Sequence, residues 1–181
     1  PKPPVTDGSA GVYLEHLQKA GLKELSGEVP VLNLKQPVTY SFGPISYSAE
    51  PADTLTVTFI YEHKHPLVGR QEYTVELTEG NYIAQIARAR TFGFEEELAF
   101  LKAHGLAKGG SLENAVVVGK DKFLNELRYA DELVRHKILD LVGDFSLTGK
   151  RLGKLKITCR MGGHKHNVLF ARLLLANSEE K

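Results

Sequence analysis

The sequence predicts an α+β fold, on three observations. Between Val31 and Leu77 the segments "VLNLKQPVTYSF", "ISYSAE", "TLTVTFIYEH" and "RQEYTVEL" are rich in Val, Thr, Ile and Tyr and alternate with a period of two. That is the pattern of half-buried strands in a mostly antiparallel sheet. Segments with a helical period flank this block on both sides. One further apolar strand is set among the later helices, and strands followed by helices with an inserted strand argue α+β. The chain has 181 residues, enough for one domain with a core, or for one domain plus a piece of another.

The first element is a helix in "DGSAGVYLEHLQKAG". Asp7 or Ser9 can cap it, Val12, Tyr13 and Leu17 supply an apolar stripe, and Gly21 can end it. A linker-like "LSGEVP" leads into the strands. After them "TEGNYIAQIARAR" reads as helical, and a short helix in "FEEELAFLKAHG" stops at Gly105. "GLAKGGSLENAVVVG" supplies a glycine-rich turn and an apolar strand. A long helix runs from about Ala130 to Phe145, a strand follows in "LGKLKITCRM", and a last helix starts near His164 and runs through "NVLFARLLLA". The polar tail "NSEEK" is expected to fray.

Composition narrows the function classes. The formal net charge is +1, so no strong general attraction to nucleic acid or acidic membranes is expected. The tract "GKRLGKLK" is short and broken by apolar residues, and reads as a hairpin or loop with solvated lysines. A single cysteine, Cys159, rules out an intrachain disulfide and fits a reducing compartment. No apolar run approaches the length of a membrane span. The first residue is Pro1 rather than methionine, and "PKPPVTDGSAG" lacks the apolar stretch of a signal peptide. The expectation is a processed end, an engineered boundary or a cut inside a longer protein.

The candidate chemistry centres on "VRHKILDLVGD". On a helical wheel Val134, Ile138, Leu141 and Phe145 form one core-facing stripe, and His136, Asp140 and Asp144 stack at i, i+4 and i+8 on the other side. Two readings fit. One is an i, i+4 ion pair on a solvated face. The other is a pair of metal donors, since neutral imidazole nitrogen and carboxylate oxygen are both natural zinc ligands, with the second carboxylate orienting a nearby imidazole. Two segments bear on the choice. In "RARTFGF" the Thr91 hydroxyl can donate to a water or an oxyanion, or simply act as a polar helix stop. In "GGHKHN" two glycines permit a tight turn and place His164 at a helix start, either presenting its ring to a ligand or facing solvent.

Taken in order, "ARTFGF", "GLAKGGSLENAVVV", "RHKILDLVGD" and "GGHKHN" resemble one family, the zinc-dependent UDP-3-O-acyl-N-acetylglucosamine deacetylases of lipid A biosynthesis, known as LpxC. The start, "PVTDGSAGVYLEHLQKAG", is similar to that family's "DGSA" segment and following helix, so the resemblance covers nearly the whole chain. It implies a cytoplasmic enzyme of two similar α+β domains, each a two-layer sheet-and-helix unit resembling the second domain of ribosomal protein S5. Residues 1–25 then correspond to the end of the first domain and 26–181 to the second, with a β-α-β insert at about 92–118.

The same resemblance implies roles for individual residues. His136 and Asp140 match two of three zinc ligands. The third, a histidine, and a neighbouring glutamate base belong to a part of the family protein that this sequence does not include. Thr91 matches an oxyanion-stabilising threonine and Lys137 a substrate-contacting lysine. His164 matches a histidine held protonated, and Asp144 the carboxylate paired with it. Phe92, Leu98, Ala107, Gly110 and Val117 match substrate positions in the insert, which builds an apolar passage for the acyl chain. Gly109 and Gly110 fit a place where a chain approaches backbone closely; read without the resemblance, the insert is only a small satellite core. In "EHKHPLVGRQEY", His63 stands where the family often has an aromatic that stacks on uracil. His63 and His65 also share one face of a strand, as a surface pair or a weak metal site. His166 is an extra histidine that can compete as a ligand, though its spacing from His164 favours opposite directions on a helix.

The implied reaction is zinc-dependent hydrolysis of the N-acetyl group of UDP-3-O-(3-hydroxyacyl)-N-acetylglucosamine. With two zinc ligands and no matched base, this chain alone is expected to be inactive and to need the missing N-terminal half as a partner. The alternative is a non-catalytic half-protein that binds a UDP-sugar or an acyl group.

Overall fold

The computed structural model describes residues 4–98, 104 and 109–179. The period-two segments form a five-stranded sheet in the order β2 (Val38–Phe42), β3 (Ile45–Pro51), β9 (Leu155–Arg160), β4 (Thr56–Glu62), β5 (Arg70–Glu76). Most pairings are antiparallel, as the alternation predicts. The exception is β9, which runs antiparallel to β3, with Tyr47 opposite Cys159, and parallel to β4, with Phe59 opposite Cys159. The last long strand thus occupies the centre of the sheet. Its alternate residues Leu155, Ile157 and Cys159 are fully buried.

The buried face of the sheet carries the helix layer. Val134, Ile138, Leu141 and Phe145 of α3 (Glu132–Ser146) join Phe170, Ala171 and Leu174 of α4 (His164–Ala176) in one core with Val57, Phe59, Tyr47 and Ile157. The wheel reading of α3 therefore holds for the whole predicted stripe. Each such side chain contributes roughly 1.5–3 kcal/mol on burial. Opposite the helices the sheet is polar, and Thr58 and Thr74 share a 2.8 Å hydrogen bond there.

Two short parallel pairs lie outside the main sheet. β1 (Val31–Leu32) pairs with β8 (Arg151–Leu152), so "GKRLGKLK" splits between two sheets and forms no hairpin. β6 (Phe92–Phe94) pairs with β7 (Val116–Val118), the two ends of the segment expected as an insert. Residues 95–98 between them are helical, and most of the connection lies outside the described residues. A second small core of Val68, Phe94, Val116, Val118 and Leu133 fixes the insert to α3.

Three expectations change. The helix predicted through Arg90 is one turn, α2 (Glu79–Asn81), followed by a π-turn over Tyr82–Ile86 closed by the Ala87 amide on the Tyr82 carbonyl at 2.8 Å. It stops there because His136 and Glu132 take the next backbone groups, the Ala89 carbonyl and the Arg90 amide. In α1 (Gly11–Ala20) the Ser9 hydroxyl accepts from the Gly11 amide at 3.1 Å and Asp7 in turn accepts from Ser9, but the apolar stripe is not covered: Tyr13 is 38% and Leu17 56% exposed. The C-terminal tail does not fray as far as it is described. Ser178 bridges to Leu34, and the Glu179 amide donates to the Asn33 carbonyl at 3.0 Å.

Candidate active site

The polar face of α3 sits beneath the insert, and this burial sets its chemistry. His136 is only 7% exposed. Burial lowers its pKa, outweighing the pull of Asp140, so the ring is neutral near pH 7. Its Nδ1–H donates to the Ala89 carbonyl at 3.0 Å. The remaining nitrogen, Nε2, then carries a bare lone pair, and it faces Asp140 Oδ1 at 3.3 Å. Two electron-pair donors facing each other with no proton between them suit a cation. The donor set, one imidazole and one carboxylate, fits zinc. The backbone carbonyl on Nδ1 is the usual way a ligating histidine is held in one tautomer. Among the described residues no group of three or more His, Cys, Asp or Glu side chains is arranged to hold a metal ion.

The flanking residues converge on the same spot. Lys137 Nζ donates to Asp140 Oδ2 at 3.0 Å. His164, at the first position of α4, places Nδ1 2.8 Å from Asp144 Oδ2 and Nε2 3.8 Å from Asp140 Oδ1. The i, i+4, i+8 spacing on α3 thus becomes a row of contacts: His136 to Asp140, then His164 bridging Asp140 and Asp144. Phe92 covers one side, its ring 6.5 Å from that of His136 and 6.0 Å from Lys137 Nζ.

Thr91 is held at both backbone groups. Its amide donates to the Gly8 carbonyl at 3.0 Å and its carbonyl accepts from Val116 at 2.8 Å. Thr91 lines a cavity of about 460 Å³ together with Phe92, Leu98, Gly110, Leu112 and Val117. Three of the four positions expected in the acyl passage, Leu98, Gly110 and Val117, therefore line one cavity together with Phe92, and the fourth, Ala107, lies outside the described residues. The close backbone approach expected at the glycine pair is not found at Gly109, where an added Cβ would meet nothing within 4 Å. It occurs at Gly8 instead, where a Cβ would lie 1.8 Å from the Asn114 carbonyl oxygen.

The other candidate histidines lie apart from this row. β4 ends at Glu62, so His63 and His65 lie in the following turn rather than on a strand face. The His63 ring stacks on Phe94 at 4.1 Å, and the residue lines a separate hollow with Pro44, Lys64, Arg70 and Arg160. His166 points away from His164, as the helical spacing favours: its Nδ1 contacts the Tyr40 hydroxyl at 2.9 Å and its ring packs on Phe42.

The sequence reading missed the supports. Glu132 is fully buried, and its carboxylate accepts from the Arg90 side chain and amide and from the Arg128 amide. Arg128 also pairs with Asp7 at 2.7 Å and donates to the Arg88 carbonyl at 2.9 Å, tying the N-terminal segment to the turn before Thr91. Asn167 is fully buried and donates to Asp144 Oδ2 at 2.8 Å. The one available signal was position: Asn167 lies one helical turn past the capping Gly163, on the inner face of α4.

Fold and site together define an α+β domain with a row of polar side chains beside an apolar cavity. By sequence the chain belongs to the LpxC family, described as UDP-3-O-acyl N-acetylglycosamine deacetylase, whose family model matches residues 1–176. It is 42% identical over 173 residues to the UDP-3-O-acyl-N-acetylglucosamine deacetylase of a Nitratiruptor species, covering 94% of this chain and 58% of that protein. The deacetylase of the same name from Citrifermentans bemidjiense is 44% identical over 170 residues, covering 92% of this chain and 55% of the relative. That of Syntrophotalea carbinolica is 41% identical over 182 residues, covering 99% and 58%. The chain thus spans less than two thirds of the length of these relatives. Among the described residues no helix is long and apolar enough to cross a membrane.

Proposed function

We propose that this chain is the C-terminal part of a zinc-dependent deacetylase that hydrolyses the N-acetyl group of UDP-3-O-(3-hydroxyacyl)-N-acetylglucosamine, the committed step of lipid A biosynthesis. The observation that carries the reading is Nε2 of buried His136 facing Asp140 Oδ1 at 3.3 Å, beside an apolar cavity of about 460 Å³. Family membership and the names of the relatives point the same way.

In this reading His136 and Asp140 hold zinc, which when bound polarises the amide carbonyl and acidifies a water. The chain's own groups do the rest. Phe92, Leu98, Gly110 and Val117 seat the acyl chain, and burying it fixes the sugar over the polar face. The Thr91 hydroxyl donates to the oxygen on which negative charge develops. His164, oriented through Nδ1 by Asp144, delivers a proton to the departing amine. Lys137 neutralises Asp140 and offers a cation to the substrate. The products are acetate and the free amino sugar nucleotide.

A catalytic zinc usually has three protein ligands, and here the described residues offer two. The third ligand, a histidine, and the glutamate base come from the N-terminal half of the family protein. Residues 1–25 close that first domain, and the uncovered Tyr13 and Leu17 of α1 support this assignment.

The test is zinc affinity and acetate release, measured on the chain alone and on the chain completed with the missing half. The chain alone should bind zinc weakly and release no acetate, and the completed protein should do both. Acetate release by the chain alone at the completed protein's rate would overturn the two-part site. A completed protein that binds the acylated nucleotide without hydrolysing it would favour the non-catalytic reading.

A further inference from the structure

The Asp144 carboxylate makes two contacts through one oxygen, and the second leads into the core. Oδ2 meets His164 Nδ1 at 2.8 Å and also accepts from Asn167 Nδ2 at 2.8 Å. On its far side the Asn167 carbonyl oxygen accepts from the Tyr47 hydroxyl at 2.6 Å. Asn167 is 0% and Tyr47 2% exposed, so this is a dry polar chain inside an otherwise apolar core. Such a chain is costly unless every member is paired, and here no buried side-chain nitrogen or oxygen among the described residues lacks a partner.

The chain has only one workable direction. Asp144 is a carboxylate and can only accept, so the amide must turn its NH2 toward Asp144 and its oxygen toward Tyr47. Tyr47 must therefore donate. Burial holds its hydroxyl well above the ordinary tyrosine range, which keeps that proton in place. The phenol is itself fixed by ring packing on Phe170 at 4.9 Å and by the Gly162 turn, where a Cβ would lie 2.4 Å from the hydroxyl.

We propose that Tyr47 and Asn167 are positioning residues that lock the Asp144 carboxylate in the orientation that reaches His164 Nδ1. They touch no substrate and act only through Asp144. His164 is exposed, and its other nitrogen is 3.8 Å from the nearest carboxylate oxygen, so the Asp144 contact is what aims its ring. The importance of the lock for turnover rests on the deacetylase reading above, but its geometry does not.

The test uses Tyr47→Phe and Asn167→Leu in the completed protein. The first removes one hydroxyl and keeps the ring packing, which guards against a simple folding failure of the second. In solution, long-range 1H–15N spectra of the His164 ring at one fixed pH report whether Nδ1 is the protonated nitrogen facing Asp144. The expected result is a shift of His164 away from the wild-type Nδ1–H signature in both variants, larger for Asn167→Leu, with zinc content unchanged. Acetate release should fall through kcat, about 10–100-fold for Asn167→Leu as for other outer partners of site residues, with KM unchanged. An unaltered His164 spectrum in both variants overturns the proposal whatever the activity. An altered spectrum in a completed protein without wild-type deacetylase activity would uphold the lock and sink the functional reading instead.

Discussion

Glu132 gives the sharpest stability prediction. Its carboxylate is 0% exposed and its partner Arg90 8%. It accepts four hydrogen bonds, from the Arg90 amide at 3.0 Å, Arg90 Nε at 2.9 Å, Arg90 Nη2 at 3.1 Å and the Arg128 amide at 2.6 Å. Removing one partner of a buried ion pair costs about 3–5 kcal/mol, because the other charge stays buried. The two removals are not equivalent here. Arg90→Met leaves the carboxylate with two backbone amides, which places it near the lower end, about 3 kcal/mol. Glu132→Leu leaves the guanidinium with the Glu126 carbonyl and strips two amides, each worth about 1–3 kcal/mol when bare, which places it near or above about 5 kcal/mol. The double variant removes the orphan charge and should be less destabilised than Glu132→Leu alone. Urea unfolding of the four proteins checks the order. A Glu132→Leu cost below about 1 kcal/mol, or a larger loss for Arg90→Met, would refute the reasoning.

Burial and hydrogen bonding set further expectations. Burial opposes ionisation of Glu132 and Asp7, but bonds from Arg90 to Glu132, and from Arg128 and Ser9 to Asp7, outweigh it and hold both carboxyls below the usual range. The unfolded chain then takes up protons first, so their stabilisation is complete above about pH 5 and is lost as pH falls through the folded values; Glu132→Gln should flatten the fall in urea midpoint between about pH 5 and pH 3, and an unchanged slope would contradict this. Burial pushes the Cys159 thiol up to about 12; at pH 8 native Cys159 should react with a disulfide reagent about a thousandfold more slowly than in urea, as its thiolate fraction dictates. Gly162→Ala places a Cβ 2.4 Å from both Cys159 Sγ and the Tyr47 hydroxyl, whereas a Cβ at Gly163 meets nothing within 4 Å. Thermal unfolding should show a loss of about 1–3 kcal/mol for the first and within about 0.5 kcal/mol for the second.

What the sequence reveals depends on whether the pattern is local. The core stripe of α3 and the stacking of His136, Asp140 and Asp144 follow from 3.6-residue geometry alone, and both are realised. The central place of β9 is not legible, because alternation marks a strand without stating its neighbours. The helix ending at Ile86 reads as too long because the groups that stop it, His136 and Glu132, lie more than forty residues downstream. The Arg90–Glu132 pair and the Tyr47–Asn167 bond are hidden for the same reason, joining residues 42 and 120 positions apart. The uncovered stripe of α1 shows the converse: an amphipathic pattern states that a face wants a partner, not that this chain supplies it.

Everything proposed for the reaction depends on His136 and Asp140 being two donors of a zinc centre completed from outside this chain. The decisive experiment is zinc content and acetate release from UDP-3-O-acyl-N-acetylglucosamine by the completed protein, compared with its His136→Ala and Asp140→Ala variants. Stoichiometric zinc and turnover are expected in the wild type, with loss of both in each variant, and with loss of turnover on chelation that added zinc restores. Full turnover in a His136→Ala protein that holds no zinc would contradict the zinc assignment.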